Sequence, residues 1–209
     1  MYAFDYHKAT DVAQARAALA ADSEAKLLAG GMTLLPSMKH RLAAPSRLID
    51  IGKLPELRGM AVNAASVTIG AAMRHCEVAD SADLRRAIAA LATLAGLIGD
   101  AQVRARGTIG GSLANNDPAA DYPAAVLALN ATIVTSKREI TADAFFTGMF
   151  STALEEGEIV KAIRFPVPKR AAYSKFHHPA SGYAMAAAFV AETAGGVRVA
   201  ITEIGRAHV

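Results

Sequence analysis

Residues 104–123 read RARGTIGGSLANNDPAADYP, and the rest of the sequence is interpreted around this stretch. It is polar and rich in glycine while long apolar segments flank it, so the pattern predicts an exposed loop rather than core. Gly107, Gly110 and Gly111 permit backbone conformations that other residues avoid and let a ligand approach the main chain closely. Successive amides in such a loop can form a nest for an anion. Two interpretations stay open from this segment alone: a loop around a phosphorylated, hydroxyl-bearing cofactor, and a surface turn.

The same stretch carries polar side chains that suit such a cofactor. Thr108 and Ser112 add hydroxyl groups, and Asp117 and Asp121 are acceptors at its far end. The sequence DYP at residues 121–123 predicts the start of a helix, because proline is favoured in a first helical turn. Short glycine patterns are weak evidence by themselves, so a second segment must support the cofactor interpretation.

A second glycine turn lies far upstream. Residues 26–29 (KLLA) predict a short buried strand, residues 30–33 (GGMT) a turn, and residues 34–42 a helix. With another strand predicted at residues 47–51, this order is that of a compact βαβ unit.

This upstream turn predicts a phosphate site in physical terms. A strand that ends in Gly30-Gly31 and opens a helix capped by Thr33 collects unpaired N–H groups and a positive dipole end at one point. The turn lacks the Gly-Lys-Ser/Thr of a Walker loop and the spacing of a Rossmann fingerprint. The alternative is a tight strand-to-helix turn in which glycine only relieves steric strain.

The middle of the chain predicts a larger unit of strands and helices. Alternating apolar residues indicate a hairpin at residues 59–70, a helix at 81–94, a hairpin at 132–141 and a strand at 158–165. Together with the upstream βαβ unit, this mixture predicts an α+β protein.

The last part of the chain looks incomplete. Residues 174–178 and 183–194 look extended, and Gly195-Gly196 predicts a turn into a strand at 197–204. Two terminal strands without a covering helix are marginal alone, so this subdomain is expected to be either completed by another part of the fold or truncated. The predicted domains are residues 1–54, 55–170 and 171–209.

Composition excludes several classes of function. The 209 residues are 53% hydrophobic and 20% charged, which is typical of an ordered globular protein. The net charge of +3 is spread along the chain without basic runs between aromatics, so no nucleic-acid partner is expected. The N-terminus lacks a basic region followed by a long apolar run, so no signal peptide is expected. With no apolar run of about 20 residues, the sequence predicts a cytoplasmic protein without a membrane span.

Reactive side chains are sparse. Cys76 is the single cysteine, which excludes an internal disulfide and an iron–sulfur cluster held by four thiolates of this chain. The six histidines are scattered, so no metal site and no nucleophilic catalytic set is predicted.

The two glycine segments together resemble a known family. AGGMTLL at residues 29–35, TIGGS at 108–112 and DPAAD at 117–121 are similar to the FAD-binding medium subunit of molybdenum hydroxylases, of the carbon-monoxide-dehydrogenase type, with the xanthine dehydrogenase flavin domain more distant. The resemblance covers essentially the whole chain. It implies a PCMH-type FAD-binding fold: a small βαβ subdomain, a larger subdomain of mixed and antiparallel sheet with helices, and the start of a C-terminal α+β subdomain.

The resemblance also implies which residues bind FAD. The two glycine turns would clasp the diphosphate and ribityl region, Asp121 would accept from ribityl or ribose hydroxyls, and Lys175 and Tyr183 would lie near the flavin ring. Ile98 and Val160 match apolar positions that line the cofactor. The full predicted set is Ala29, Gly30, Gly31, Met32, Thr33, Leu34, Ile98, Thr108, Ile109, Gly110, Gly111, Ser112, Asn115, Asp117, Asp121, Val160, Lys175 and Tyr183.

Alternatives exist for three members of this set. Val160 is equally consistent with plain core, Lys175 with a solvated charge, and Tyr183 with an ordinary strand aromatic. Met32 departs from the family, because its position is often polar in relatives.

The implied role is electron transfer. A molybdenum-cofactor large subunit and a [2Fe-2S] small subunit would be the partners, and FAD in this chain would pass their electrons to an external acceptor. Two rivals are a truncated, flavin-free structural or assembly paralogue and a stand-alone flavin oxidoreductase.

Overall fold

The computed structural model describes residues 1–202 of the 209. The end of the strand predicted at residues 197–204 therefore lies outside the described residues. Within residues 1–202, no helix is long and apolar enough to span a bilayer, and no three His, Cys, Asp or Glu side chains cluster as a metal site.

The N-terminal unit is a three-stranded parallel sheet with two helices. Its elements are β1 (Asp5–Lys8), α1 (Val12–Ala20), β2 (Lys26–Leu28), α2 (Leu34–Lys39) and β3 (Arg47–Asp50). The strand order is β1-β3-β2, with both pairs parallel. The predicted βαβ unit is confirmed. Strand β1 was not predicted, because DYHK has no apolar periodicity and is mostly exposed.

The central sheet is antiparallel and five-stranded, in the order β4-β5-β10-β6-β7. Its strands are β4 (Met60–Val62), β5 (Ser66–Gly70), β6 (Thr132–Thr135), β7 (Glu139–Thr141) and β10 (Val160–Pro166). Strand β10 lies between the two predicted hairpins and pairs with both. A separate small hairpin is formed by β8 (Phe146–Gly148) and β9 (Ser151–Thr152).

Short helices connect and cover this sheet. They are α3 (His75–Asp80), α4 (Ala82–Ala87), α5 (Ala89–Gly96), α6 (Ala101–Arg106), α7 (Ile109–Asn115), α8 (Tyr122–Ala128) and α9 (Ala142–Phe145). The single helix predicted at 81–94 is wrong, because the backbone leaves the helical region at Ile88 (φ −142°, ψ 73°).

The prediction that residues 104–123 form an exposed loop is also wrong. Much of the stretch is helical, and Ile109, Gly110 and Leu113 are buried. Gly110 packs directly against Ala71, the residue that follows β5, since a Cβ on Gly110 would lie 2.5 Å from the Cβ of Ala71. The glycines allow a helix to come close to the sheet. This approach is limited by the size of the side chains, so it requires glycine where larger apolar residues would not fit.

The C-terminal part is a three-stranded antiparallel sheet, β11 (Arg170–His177), β12 (Ala184–Thr193) and β13 (Gly196–Thr202), in that order. The predicted pair of strands without a covering helix is corrected to three strands, and the alternative that another part of the chain completes this piece agrees with the structure. Phe189, Ala191 and Ala200 on one face join the same buried core as α5 and α8. The guanidinium of Arg198 reinforces this packing, donating to the carbonyl oxygen of Leu127 in α8 at 3.0 Å.

Two buried clusters stabilise the chain. The larger joins the central sheet, helices α3, α4, α5, α7, α8 and α9, and the C-terminal sheet, and the smaller joins α1 and the parallel sheet to residues 51–57. Ala72 and Ile159 belong to the smaller cluster although they lie in the central unit. The two units therefore share a boundary, and both glycine segments lie along it.

Candidate functional site

The first glycine turn directly follows β2 and leads into α2. Gly31 has φ +74°, a conformation that residues with a Cβ rarely adopt. The amides of Gly30, Gly31, Met32 and Thr33 donate to no acceptor among residues 1–202. Thr33 occupies the capping position, but the prediction that it caps α2 is wrong, since its hydroxyl makes no capping hydrogen bond. The turn therefore presents four unpaired N–H groups and a free hydroxyl.

The second glycine segment begins with Thr108 and continues as α7. The amide of Ile109 donates to Met73 O at 3.1 Å, and that of Gly110 donates to Ala71 O at 2.9 Å. The Thr108 hydroxyl caps the helix by accepting from the Gly111 amide at 3.2 Å. The predicted anion nest is thus wrong for these residues, because the protein's own acceptors satisfy their amides.

The two segments touch, although about 75 residues separate them in the sequence. A Cβ on Gly30 would lie 2.2 Å from the carbonyl oxygen of Arg106 and 2.8 Å from Gly107 Cα. Contacts below 3.0 Å are essentially never seen for a real Cβ. Glycine at position 30 is therefore required by the approach of the second segment, which is why these turns lie at one place.

A cavity of about 610 Å³ opens where they meet. This volume lies within the 300–1,000 Å³ range of typical small-molecule sites. Every predicted site residue lines it except Ile109 and Lys175. The lining members are Ala29, Gly30, Gly31, Met32, Thr33, Leu34, Ile98, Thr108, Gly110, Gly111, Ser112, Asn115, Asp117, Asp121, Val160 and Tyr183. Ile109 is fully buried and lies behind the wall that the second segment forms.

Asp121 lies at one wall of the cavity and is already paired. Lys175 Nζ approaches Asp121 Oδ1 at 3.0 Å and Oδ2 at 3.1 Å, and the Tyr173 hydroxyl donates to Oδ1. Lys175 also donates to Leu97 O at 3.0 Å, and its side chain is 0% exposed. The alternative of a solvated charge at Lys175 is therefore wrong. Burial raises the pKa of Asp121, and the donors Tyr173 and Lys175 offset this only in part.

The apolar wall of the cavity comes from separate elements. Ile98 follows α5, Val160 begins β10, and Tyr183 precedes β12. Val160 is buried but also lines the cavity, so plain core describes only part of its surroundings. Tyr183 lines the cavity and is 55% exposed. The buried Glu158 carboxylate, which accepts from Thr135 Oγ1 at 2.6 Å, fixes the loop before β10 in place.

His75 is a cavity residue that sequence reasoning missed. It begins α3, is 4% exposed and lines the cavity beside Ala71 and Ala72. Burial, and to a smaller extent the positive charge of Arg104, lower the pKa of His75 to about 4. The scattered histidines of the sequence gave no local signal for it, because its place depends on a bridge between Arg74 and Thr108.

These features fit a dinucleotide such as FAD. Free amides lie next to a close-packed glycine junction that no Cβ could enter, hydroxyl and amide side chains follow, and an apolar wall closes one end. Backbone N–H groups suit phosphate oxygens, and the apolar wall suits a ring system.

Comparison with known proteins agrees with this geometry. Residues 2–168 match the family described as the FAD binding domain in molybdopterin dehydrogenase. The carbon monoxide dehydrogenase medium chain of Hydrogenophaga pseudoflava is 39% identical over 96% of this chain and 75% of the relative. The glyceraldehyde dehydrogenase medium chain of Sulfolobus acidocaldarius is 35% identical over 90% of this chain and 69% of the relative.

Solved structures give the same result. Carbon monoxide dehydrogenase from H. pseudoflava, in a form that lacks the Mo-pyranopterin moiety of the molybdenum cofactor, superposes with a TM-score of 0.93 at 39% identity, over 99% of this chain and 77% of that one. Quinoline 2-oxidoreductase from Pseudomonas putida 86 also gives 0.93, at 28% identity, over 99% of this chain and 76% of that one. The predicted fold class and FAD as cofactor are confirmed. The chain therefore belongs to the FAD-binding family of molybdopterin dehydrogenases and is the medium, FAD-binding type of oxidoreductase subunit.

Proposed function

We propose that this chain is the electron-transfer subunit of a molybdenum-containing hydroxylase or dehydrogenase, with FAD bound across the two glycine segments. One observation carries the proposal: residues 30–33, whose amides are unpaired among the described residues, line a single cavity together with polar residues of the second segment, namely Thr108, Ser112, Asn115, Asp117 and Asp121. Their physical chemistry is complementary to a diphosphate followed by a hydroxylated chain.

The first turn would hold the diphosphate. Its four amides have no competing acceptor in the described part of the chain, and they lie beside the Gly30–Arg106 contact that keeps the two segments together. Ala29 and Leu34 flank these amides. Thr33 Oγ1 is a fifth donor, since it makes no hydrogen bond within the described chain.

The second segment would hold the cofactor through side chains rather than amides. Ser112, Asn115 and Asp117 line the cavity on and just after α7, and the side chains of Ser112 and Asn115 have no partner among residues 1–202. Thr108 accepts one bond at its hydroxyl and has its donor to spare. These groups suit ribityl and ribose hydroxyls.

The far end would receive the flavin ring. Ile98 and Val160 form an apolar wall that excludes water, and Tyr183 stands half exposed at the edge. Lys175 lies off the cavity, so its proposed influence on the ring acts through Asp121. Each carboxylate oxygen accepts two hydrogen bonds at most, which leaves Asp121 with some free acceptor capacity.

The cofactor itself supplies the electron chemistry when bound, and this chain supplies position and exclusion of solvent. The chain has a single cysteine, so iron–sulfur clusters that deliver electrons would sit in another chain. We infer a [2Fe-2S] small subunit and a molybdenum-cofactor large subunit as partners, in the cytoplasm. Relatives named as medium chains or subunits support a hetero-oligomer.

Purification of the chain with and without its genomic neighbours tests this function. We expect a yellow complex with the visible absorbance of oxidised flavin, one FAD per chain, and partner chains that carry iron–sulfur clusters and molybdenum. Reduction of the partner clusters should bleach the flavin band. A colourless chain that fails to take up added FAD would favour the flavin-free paralogue, and a yellow monomer that turns over its own substrate would favour the stand-alone oxidoreductase.

A further inference from the structure

His75 combines deep burial with unused hydrogen-bonding capacity. It is 4% exposed and lines the cavity, and its Nδ1 is a buried atom without a hydrogen-bond partner in the described part of the chain. Its Nε2 also makes no hydrogen bond among residues 1–202. Buried polar atoms are nearly always paired in native proteins, and each exception calls for an explanation. An imidazole that served only to fill space would be replaced at lower free energy by an apolar ring.

The orientation of the ring places Nε2 toward the glycine junction. A Cβ on Gly107 would lie 2.5 Å from His75 Nε2 and 2.8 Å from its Cδ2. Gly107 is also the residue whose Cα would lie 2.8 Å from a Cβ on Gly30. The imidazole edge of His75 therefore lies against the second segment at Gly107, and Gly107 in turn lies against the first glycine turn at Gly30.

The opposite nitrogen, Nδ1, lies in the interior with a second unpartnered group. The Tyr122 ring is 5.4 Å from the His75 ring, centroid to centroid, and the hydroxyl of the fully buried Tyr122 also has no partner among the described residues. A single water molecule between two buried polar groups can hydrogen-bond to both. If such a water donates to Nδ1, the lone pair lies on Nδ1 and the proton on Nε2.

We propose that His75 is a further FAD-binding residue, which donates a hydrogen bond from Nε2–H to a diphosphate oxygen at the junction of the two glycine segments. This inference rests on the proposed function. It adds an imidazole donor to a diphosphate site otherwise built from the amides of residues 30–33 and the Thr33 hydroxyl. The ring is neutral near pH 7, so it contributes a directed donor without the cost of a buried positive charge.

Binding of FAD to the full 209-residue chain tests the proposal with His75→Phe and His75→Gln. We expect His75→Phe to raise the FAD dissociation constant about tenfold to a hundredfold, the loss that one hydrogen bond to a charged group produces. His75→Gln, which keeps an N–H donor, should recover part of that affinity. His7→Phe is the matched control, since His7 is on β1 and outside the cavity, and it should bind FAD like the wild type.

A spectroscopic readout on the unmutated protein separates binding from a merely structural role. In ¹⁵N-histidine NMR spectra of the apo and FAD-loaded chain, the His75 Nε2 resonance should shift on loading while that of His7 should not. This measurement stands if His75→Phe does not fold. An unchanged His75 resonance, or FAD affinity of His75→Phe within twofold of wild type, would overturn the proposal. Failure of the wild type to bind FAD would instead remove the proposed function.

Discussion

The two glycine segments look alike in sequence but use glycine in opposite ways. In the first, GGMT at residues 30–33, the amides are free and Gly31 adopts φ +74°. In the second, TIGGS at 108–112, the amides of Ile109 and Gly110 donate to Met73 and Ala71, and glycine serves to bring a helix onto the sheet. In the proposed site, one segment would offer backbone donors to the cofactor, and the other would supply the rigid wall against which the cofactor lies.

Because the amides are free in one segment and paired in the other, a glycine motif does not by itself indicate an anion nest. Whether an amide is available depends on what the rest of the chain places opposite it. The second segment has neighbouring carbonyls from the end of β5 within reach, whereas the first emerges from β2 at the boundary of the two units with none. Substitutions in each segment can test this division of roles.

The far end of the second segment depends on a buried ion pair, so Lys175→Met should have the largest effect on stability. It would leave the Asp121 carboxylate buried without its cation, and we expect the free energy of unfolding to fall by about 3–5 kcal/mol near pH 7. Burial already raises the pKa of Asp121, and removal of the ammonium raises it further. The loss should therefore shrink as the pH falls and the carboxyl takes up a proton.

Urea unfolding of wild type and Lys175→Met at several pH values measures this effect. Lys169→Met is the control, because Lys169 forms an exposed pair with Glu192 at 3.7 Å and should contribute less than about 1 kcal/mol. Equal losses in the two variants would show that the Asp121–Lys175 pair is not what holds the C-terminal sheet to the site.

The contact between the two segments is tested by Gly30→Ala. The new Cβ would meet the Arg106 carbonyl oxygen at 2.2 Å, so the segments must separate. We expect a loss of about 1–3 kcal/mol in unfolding free energy. FAD affinity should fall by about a hundredfold or more, because at least two amide bonds to phosphate are displaced.

Gly96→Ala is the matched control for that substitution. Gly96 ends α5, and a Cβ there meets only the Ala79 Cβ at an ordinary 3.8 Å. Alanine in a helix should stabilise it by up to about 1 kcal/mol, with no change in FAD affinity. Thermal melts and quenching of flavin fluorescence measure both quantities. If Gly30→Ala binds FAD like the wild type, the contact between the two glycine segments is not needed for FAD binding.

Thr108→Ala separates the structural role of the second segment from its contact with cofactor. Removal of the cap on the Gly111 amide should destabilise the fold by about 1 kcal/mol. Asp11→Ala removes the equivalent cap of α1, in which Asp11 accepts from the Gln14 amide at 2.7 Å, and should have a similar effect on stability. We expect only Thr108→Ala to weaken FAD binding, by several fold. Equal affinities in the two variants would assign Thr108 to the scaffold alone.

Met32→Ala should have the smallest effect and thereby test the backbone nature of the first turn. Met32 lines the cavity and is 36% exposed, but its contribution to the proposed site is its amide, which alanine keeps. We expect FAD affinity within twofold of wild type and unchanged stability in the same assays. A large loss of affinity would mean that the methionine side chain, rather than the amide, contacts the cofactor.

Much of the fold and most of the cavity lining could be predicted, for identifiable reasons. Strand alternation at residues 67–70 and 132–135 reports burial on one face, and it located the central sheet correctly. The site residues could be predicted from a family resemblance, and nearly all of them line the cavity. The helical character of residues 109–115 was missed, because two adjacent glycines are unfavourable in a helix unless packing compensates.

What the sequence determined by itself is local: where glycine permits a tight turn, which segments alternate as strands, and that a single cysteine leaves no internal disulfide. The tertiary structure decided which amides are free, that Gly30 meets Arg106, that Lys175 is buried against Asp121, and that His75 lies beneath the junction. The physical reason is that hydrogen bonds, ion pairs and steric contacts depend on the atoms opposite. Those atoms come from residues about 30 to 80 positions away.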